Sequence, residues 1–320
     1  MIGTDGPVVV VANQRAGGIQ GLAEAVAVLR ARVETVVVEL AGPGEMEAAL
    51  AGLPATTMIA AGGDGTLNML VQHLWAQELL HQVVLGLLPL GTGNDLARGV
   101  GIPLEAEAAA TVVLAGRPRP LDLLVDGAGT VAVNAVHGGI GGLVAARAAR
   151  LKALLGRMAY VGGAAWTGAR TPGWDVRVEV DGAVLAEGTV LFAGIGNGAT
   201  IGGGTVLWPL ARPDDGLAEV TVAFAGSIGM RLRMARALRC GCFCGVDGVV
   251  VGRGRSVRVD GEPMPYNADG EALAPSRSRS WRVQRRALRL LTPVRPDEGR
   301  RRGAGGREGE FSTIPDREGR

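Results

Sequence analysis

Aromatic residues are scarce in this chain: 3% of 320 residues, in the form of five Trp, two Tyr and four Phe. Proteins that hold single-stranded nucleic acid stack bases on aromatic rings along a basic groove. Here the positive charge follows no groove and no recognition module is legible, so a nucleic-acid partner is excluded. Cysteine is as sparse, with three residues, all inside "CGCFC" at 240, 242 and 244. No Cys-x-x-Cys pair accompanies them, and His73, His81 and His137 are scattered. If that run is extended, its thiols share one face, which suits packing better than tetrahedral chelation, and buried thiols are the expectation. The longest apolar runs fall well short of the roughly 18 residues that span a bilayer. "PVVVVA" behind the acidic Asp5 is too short for a signal peptide's apolar region, so a cytoplasmic protein is expected.

What is present supports a folded core. Hydrophobic residues make up 47% and charged residues 20%, enough for two domains or one large one. Gly is abundant, 52 of 320, without a collagen-like period. The formal charge is only +2, yet "SRSRSWRVQRRALRL" (276–290) carries six arginines and no acid. A solvated strand face is the plain reading of that run, and contact with an anionic membrane surface the functional one.

Apolar runs at 7–13, 35–40, 56–61 and 83–89 read as buried strands. Between them, 22–32, 44–52 and 66–75 read as helices, and 104–116 as a further one. This alternation predicts an α/β fold: a three-layer N-terminal domain over 1–125 with a mostly parallel sheet covered on both faces. From 126 to 293 the pattern becomes strand after strand. "WDVRVEVDG" and "SVRVDG" alternate as half-exposed antiparallel strands do, so a β-rich, sandwich-like second domain is expected, its last strand returning to the first. Residues 294–320 are charged, Gly-rich and poor in apolar residues, and read as a disordered tail.

Two glycine-rich knots follow strands, where open α/β sheets bind ligands. In "GGDGTLN" (62–68), Gly62, Gly63 and Gly65 allow backbone to approach a phosphate, and Thr66 opens a helix whose first amides attract anions. Asp64 would repel bare phosphate and suits a magnesium ion, a water or a nucleoside donor. In "PLGTGNDLAR" (89–98), Gly91 and Gly93 permit sharp turns, Thr92 and Asn94 offer polar groups, and Asp95 is placed to cap the next helix. Neither knot is a Walker A loop or a G-x-G-x-x-G dinucleotide loop. A tight strand-to-helix turn with capping side chains is the bland alternative for both.

Together the two motifs resemble the diacylglycerol kinase catalytic domain, a group that includes bacterial lipid kinases and sphingosine and ceramide kinases, with an NAD kinase/diacylglycerol kinase-like fold. The resemblance runs over roughly 7–293. It implies an ATP- and Mg2+-dependent kinase phosphorylating a lipid hydroxyl, diacylglycerol first, at the inner face of the membrane by peripheral contact. It implies an ATP site lined by Asn13, Gly62, Gly63, Asp64, Gly65 and Thr66, with Gly91, Thr92 and Asn94 close by. Gln14 stands where the family usually has proline. "VNAVHGGIGG" (133–142) is similar to the segment that enters the lipid-binding domain, with Asn134 a polar contact. "ARPDDGLAEV" (211–220) resembles a magnesium site of Asp215 with carbonyls near Arg212 and Leu217. Adjacent acids and carbonyls do suit a hard cation, and a solvated acidic turn is the alternative. The basic segment 143–166 is a candidate membrane-facing element or a core helix. An edge strand could pair across a homodimer.

The family's base comes from an Asp-Gly-Glu triplet, and this chain has two, at 260–262 and 269–271. Asp269 lies 24 residues before Pro293 (293 − 269), which suits the family's spacing to its closing strand. Asp269 is therefore the expected base, with Glu271 orienting it, and Asp260 an ordinary turn residue. Three other readings stay open: a kinase for phosphatidylglycerol or a sphingoid base, an NAD kinase, and a nucleotide-binding regulator without catalysis. NAD kinase would leave 89–98 and 196–216 unexplained.

Overall fold

The computed structural model describes residues 7–13, 19–40, 43–52, 56–143 and 171–294. The tail expected over 294–320 lies, past residue 294, outside the described residues, as do Gln14 and nearly all of 143–166.

In the N-terminal half, β1 (Val8–Asn13), β2 (Thr35–Leu40), β3 (Thr57–Gly62) and β4 (Val84–Pro89) pair in parallel in the order β2-β1-β3-β4. Val8 to Val11, Ile59, Leu85 and Leu88 are buried, as continuous apolar runs in a sheet covered by helices must be. Helix α1 (Ile19–Arg30) packs on α5 (Ala106–Ala115), and α3 (Asp64–Ala76) lies against β3, with the short α2 (Met46–Leu50) beside it. Helix α4 (Asp95–Val100) follows the second glycine knot and closes on Gly101 in the left-handed conformation.

An α/β first half and a β-rich second half are present as expected, but the expected three-layer domain built on its own parallel sheet is overturned. Hydrogen bonding runs through one 13-stranded sheet, and parallel pairing is confined to the four N-terminal strands and one contact, Leu290 with Leu85. That contact comes from β15 (Glu271–Thr292), which also pairs with β5 (Arg117–Asp126) and β14 (Ser256–Ala268), both antiparallel. β5 also pairs with the two-residue β6 (Val131–Ala132). Beyond it, β7 (Ala135–Gly139), β9 (Ala183–Gly196), β8 (Trp174–Val180) and β14 each pair with the next, antiparallel, and β14 returns to β7. The core sheet is thus a closed antiparallel barrel. The long strand β14 makes closure possible: Val257–Gly261 face β8 and Tyr266–Ala268 face β7, with an irregular register between. A bulged strand bends, and a closed ring leaves no edge there. β12 (Ala218–Phe224) and β13 (Val249–Gly254) extend the sheet from β9, while β10 (Thr200–Ile201) and β11 (Thr205–Val206) form a small separate hairpin.

Two further expectations change. Residues 280–284 and 287–292 belong to the single strand β15, which carries Arg286 at φ 50° where its register against β5 shifts. The cysteine run is not extended: a helix, α6 (Ile228–Arg239), ends into it, Cys240 and Cys242 are exposed and Cys244 is half-buried. Phe243 is buried between them and takes the packing role expected of the thiols.

Candidate active site

The two glycine knots touch each other. A Cβ on Gly91 would stand 2.3 Å from the Gly63 Cα, so backbone packs on backbone there and no side chain fits. Asn94 holds the second knot, in the left-handed region at φ 54°. Its Nδ2 donates to the carbonyls of Pro89 (2.9 Å) and Gly91 (2.8 Å), and its Oδ1 accepts the Gly91 N–H (3.2 Å). Asp64 accepts the N–H groups of Asp95 (3.1 Å) and Leu96 (3.3 Å), and so caps α4 from the first knot. Burial pushes its carboxyl upward, opposed by those amides and reinforced by the Asp95 charge.

Asp95 was expected to cap α4. Instead its two oxygens accept the N–H groups of Gly203 (2.9 Å) and Gly204 (2.8 Å), in the turn of the β10–β11 hairpin. It ties the glycine knots to the C-terminal half. The polarity of the motif was visible in sequence, but its partner lies 108 residues away. Thr66 is buried beneath the loop, its hydroxyl filling the space a Gly62 side chain would need. Gly65 and Thr92 are exposed, and a Cβ on Gly65 would meet nothing within 4 Å. This open start of a 13-residue helix, with its positive dipole end, fits the phosphates of a nucleotide. Asn13 ends β1 on the same side of the sheet as Gly62 and Pro89 end β3 and β4.

Asp269 is the first residue of a two-residue hairpin turn between β14 and β15, at φ 47°, followed by Gly270 at φ 96°. Asp-Gly is the dipeptide that such left-handed turns favour. Asn267 buttresses the turn by accepting the Gly270 N–H (2.9 Å). The Asp269 carboxylate takes three successive amides: Val133 donates to Oδ2, and Asn134 (3.0 Å) and Ala135 (2.8 Å) donate to Oδ1. The Asn134 N–H is shared with Oδ2 (3.2 Å), so the three amides fix both oxygens of the carboxylate. Burial pushes the Asp269 carboxyl up to about 6, against those amides and with help from the negative Asp64. Asp64 stands 205 residues away in sequence (269 − 64), yet its charge reaches Asp269 in the fold. Asn134 donates to the Thr200 carbonyl (2.8 Å), and its buried Oδ1 has no partner among the described residues.

Other expected residues stand apart. Glu271 begins β15, exposed, with no hydrogen bond to Asp269; backbone amides orient the aspartate. Asp215 accepts the Leu217 N–H (3.0 Å) and forms an ion pair with Arg253, while Arg212 is exposed. No group of three or more acidic, His or Cys side chains suited to a metal occurs among the described residues. A cation at Asp215 would have to displace a guanidinium, so the donor set as it stands does not fit a resident ion. In the basic strand, Arg279 pairs with the buried Asp126 (2.8 Å) and lies over the Tyr266 ring, which makes that arginine structural. No described helix is long and apolar enough to cross a membrane.

Paired glycine knots at strand ends and a carboxylate contributed by a β-rich second half define a phosphotransferase of the diacylglycerol kinase class. Comparison with known proteins agrees. Residues 7–125 match the diacylglycerol kinase catalytic domain, and 134–292 the YegS C-terminal NAD kinase beta sandwich-like domain. A protein of Xanthomonas campestris pv. campestris (strain 8004), described as "Probable lipid kinase YegS-like", is 33% identical over 87% of this chain and 93% of its own length. One of Stenotrophomonas maltophilia (strain K279a), described in the same words, is 35% identical over 71% of this chain and 75% of its own. A crystal structure of a diacylglycerol kinase from Bacillus anthracis str. Sterne superposes with a TM-score of 0.72 at 21% identity, covering 91% of this chain and 98% of that one, and so shares the fold. The chain belongs to the YegS-like lipid kinase family, and it is an ATP-dependent lipid kinase.

Proposed function

We propose that the cleft between the glycine knots and the β14–β15 turn transfers the γ-phosphoryl group of MgATP to the primary hydroxyl of diacylglycerol, giving phosphatidic acid, with Asp269 as general base. The hydroxyl oxygen attacks the γ-phosphorus as its proton passes to the Asp269 carboxylate. The bond from phosphorus to the bridging oxygen breaks, and ADP leaves. Positioning and electrostatics supply most of the catalysis in such transfers. The observation that carries this reading is the Asp269 carboxylate, fixed on both oxygens by three amides and raised by burial and by the charge of Asp64. A base held up to about 6 is ionised near neutral pH yet basic enough to take a proton.

Gly65 and Thr92, with the first amides of α3, are proposed to hold the nucleotide phosphates. Asn13, Gly62, Gly63, Gly91, Asn94 and Thr66 shape that cradle. Magnesium is proposed to arrive with the nucleotide. No step is drawn through Asp215, because Arg253 neutralises it. Glu271, exposed across the turn, is free to meet the cation that accompanies the phosphates.

The test is phosphotransfer from labelled ATP to diacylglycerol, phosphatidylglycerol, sphingosine and NAD in mixed micelles. Label on diacylglycerol that disappears in Asp269→Asn and survives in Asp260→Asn supports the reading. Label on another lipid replaces the substrate, and unimpaired turnover in Asp269→Asn removes the base.

A further inference from the structure

Helix α6 (Ile228–Arg239) contributes nothing to the cleft, yet it is built in a particular way. Met234 and Ala237 are buried and Met230 and Leu238 pack on the same cluster, which also holds Ala135, Phe192 and Trp208. Ser227 caps its start by accepting the Met230 N–H (3.3 Å), and Arg231 donates to the carbonyls of Gly226 (3.0 Å) and Thr171 (2.6 Å). One face is therefore fixed to the body. The other face shows Ile228, 65% exposed, and Leu232, 64% exposed, one turn apart. Arg233, Arg236 and Arg239 are exposed beside them, and none makes an ion pair among the described residues.

No Asp or Glu occurs between Glu219 and Asp247. A solvated helix face usually alternates charge sign and gains from i,i+4 pairs; this one holds a single sign around two large aliphatic side chains. That is the make-up of a helix lying in a membrane interface. Two copies meeting through this face would bring six arginines together, since a two-fold interface sets a patch against itself.

We propose that α6 docks on an anionic phospholipid bilayer, with Ile228 and Leu232 entering the acyl boundary and Arg233, Arg236 and Arg239 on the headgroup phosphates. The inference rests on the acceptor being a lipid, which the enzyme must reach at a surface. The cluster beneath the helix includes Ala135, whose N–H holds Asp269 (2.8 Å), so the docked face and the cleft share one rigid support.

The experiment is co-sedimentation with vesicles of phosphatidylcholine alone and of phosphatidylcholine with phosphatidylglycerol. It compares the full chain with Arg233→Glu/Arg236→Glu/Arg239→Glu and with Ile228→Ser/Leu232→Ser; circular dichroism confirms that both variants fold. Binding should need phosphatidylglycerol, weaken with salt, and fall on the order of 100-fold in the arginine variant. Phosphorylation of diacylglycerol in anionic vesicles should fall with it, while phosphorylation in neutral detergent micelles is unchanged. Equal binding by the arginine variant overturns the proposal, and so does equal binding to neutral vesicles. Wild-type self-association that the variant abolishes, without vesicle binding, assigns the face to a second copy instead. A wild type that phosphorylates no lipid in micelles but binds anionic vesicles through α6 leaves the docking surface standing and removes the substrate reading.

Discussion

The chain spells Asp-Gly-Glu twice within twelve residues, at 260–262 and 269–271, and folding gives the two copies opposite chemistry. Asp260 lies inside β14, where the strand loses register before Met264, and its carboxylate accepts from Arg258 Nε (2.6 Å) at the surface. That bond holds its carboxyl below the usual range. Glu262 accepts the Asp175 N–H (2.9 Å), so this triplet stitches two strands together. Asp269 sits in the turn at the end of the same strand, and desolvation, with a contribution from the charge of Asp64, pushes its carboxyl up to about 6. Identical tripeptides therefore yield a solvated ion pair and a carboxyl with a raised pKa, the proposed base, because ionisation follows desolvation and neighbouring charge.

The largest expected effect that tests this contrast is on turnover. Asp269→Asn should lower kcat by about 10²- to 10⁴-fold, the usual worth of a general base, with KM for ATP nearly unchanged. Asp260→Asn should leave steady-state phosphotransfer close to wild type. Comparable losses in the two variants would erase the distinction.

The glycines separate stability from activity. At Gly261, φ is 142° and a Cβ would lie 2.3 Å from the Asp175 carbonyl oxygen, so Gly261→Ala must move one strand against another. It should cost about 2 kcal/mol in denaturant unfolding, while folded molecules keep their kcat. Gly270 has φ 96° and open space around it. Gly270→Ala should cost about 1 kcal/mol in stability, yet lower kcat through displacement of Asp269.

A smaller and sharper difference lies in pH. As the proposed base, Asp269 must be ionised, so kcat/KM should fall as pH drops through about 6, and Asp260→Asn should not move that limb. The stability signs are opposite. Asp269 has a folded pKa raised above 3.8, so its stability contribution is present below that value and is lost as pH rises from about 4 to about 6. Asp260 has a lowered one, so its contribution is present above 3.8 and is lost as pH falls through the lower folded value. Urea unfolding of each Asn variant between pH 3 and 8 reads both; slopes of one sign would refute the assignment.

The smallest effect is the surface ion pair itself. Arg258→Ala should shift the melting temperature little, because exposed pairs gain little over their solvated parts.

Local pattern made much of this protein legible. The four parallel strands announce themselves as apolar runs because both their faces are covered. The glycine knots are legible because backbone contacts as close as Gly91 on Gly63 admit no other residue. Helix α6 was not legible: its buried side is only Met230, Met234, Ala237 and Leu238, and arginines and flanking glycines blur the period. The triplets were read partly in reverse, for Asp260 was expected in a turn and stands in a strand, while Asp269 occupies the turn. Closure of the antiparallel barrel was hidden as well, because strand pairing depends on partners far along the chain.

By itself, then, the sequence determined the strand and helix formers of the first half, the glycine knots and two candidate carboxylates. Those depend on side-chain size, periodicity and backbone freedom within a few residues. Only the tertiary structure decided which carboxylate is held by three amides and feels the charge of Asp64, that Asp95 reaches Gly203 and Gly204, that Asp215 is paired with Arg253, and that α6 turns three arginines outward. Burial and electrostatic neighbours are properties of space, and these partners lie tens to hundreds of residues apart along the chain.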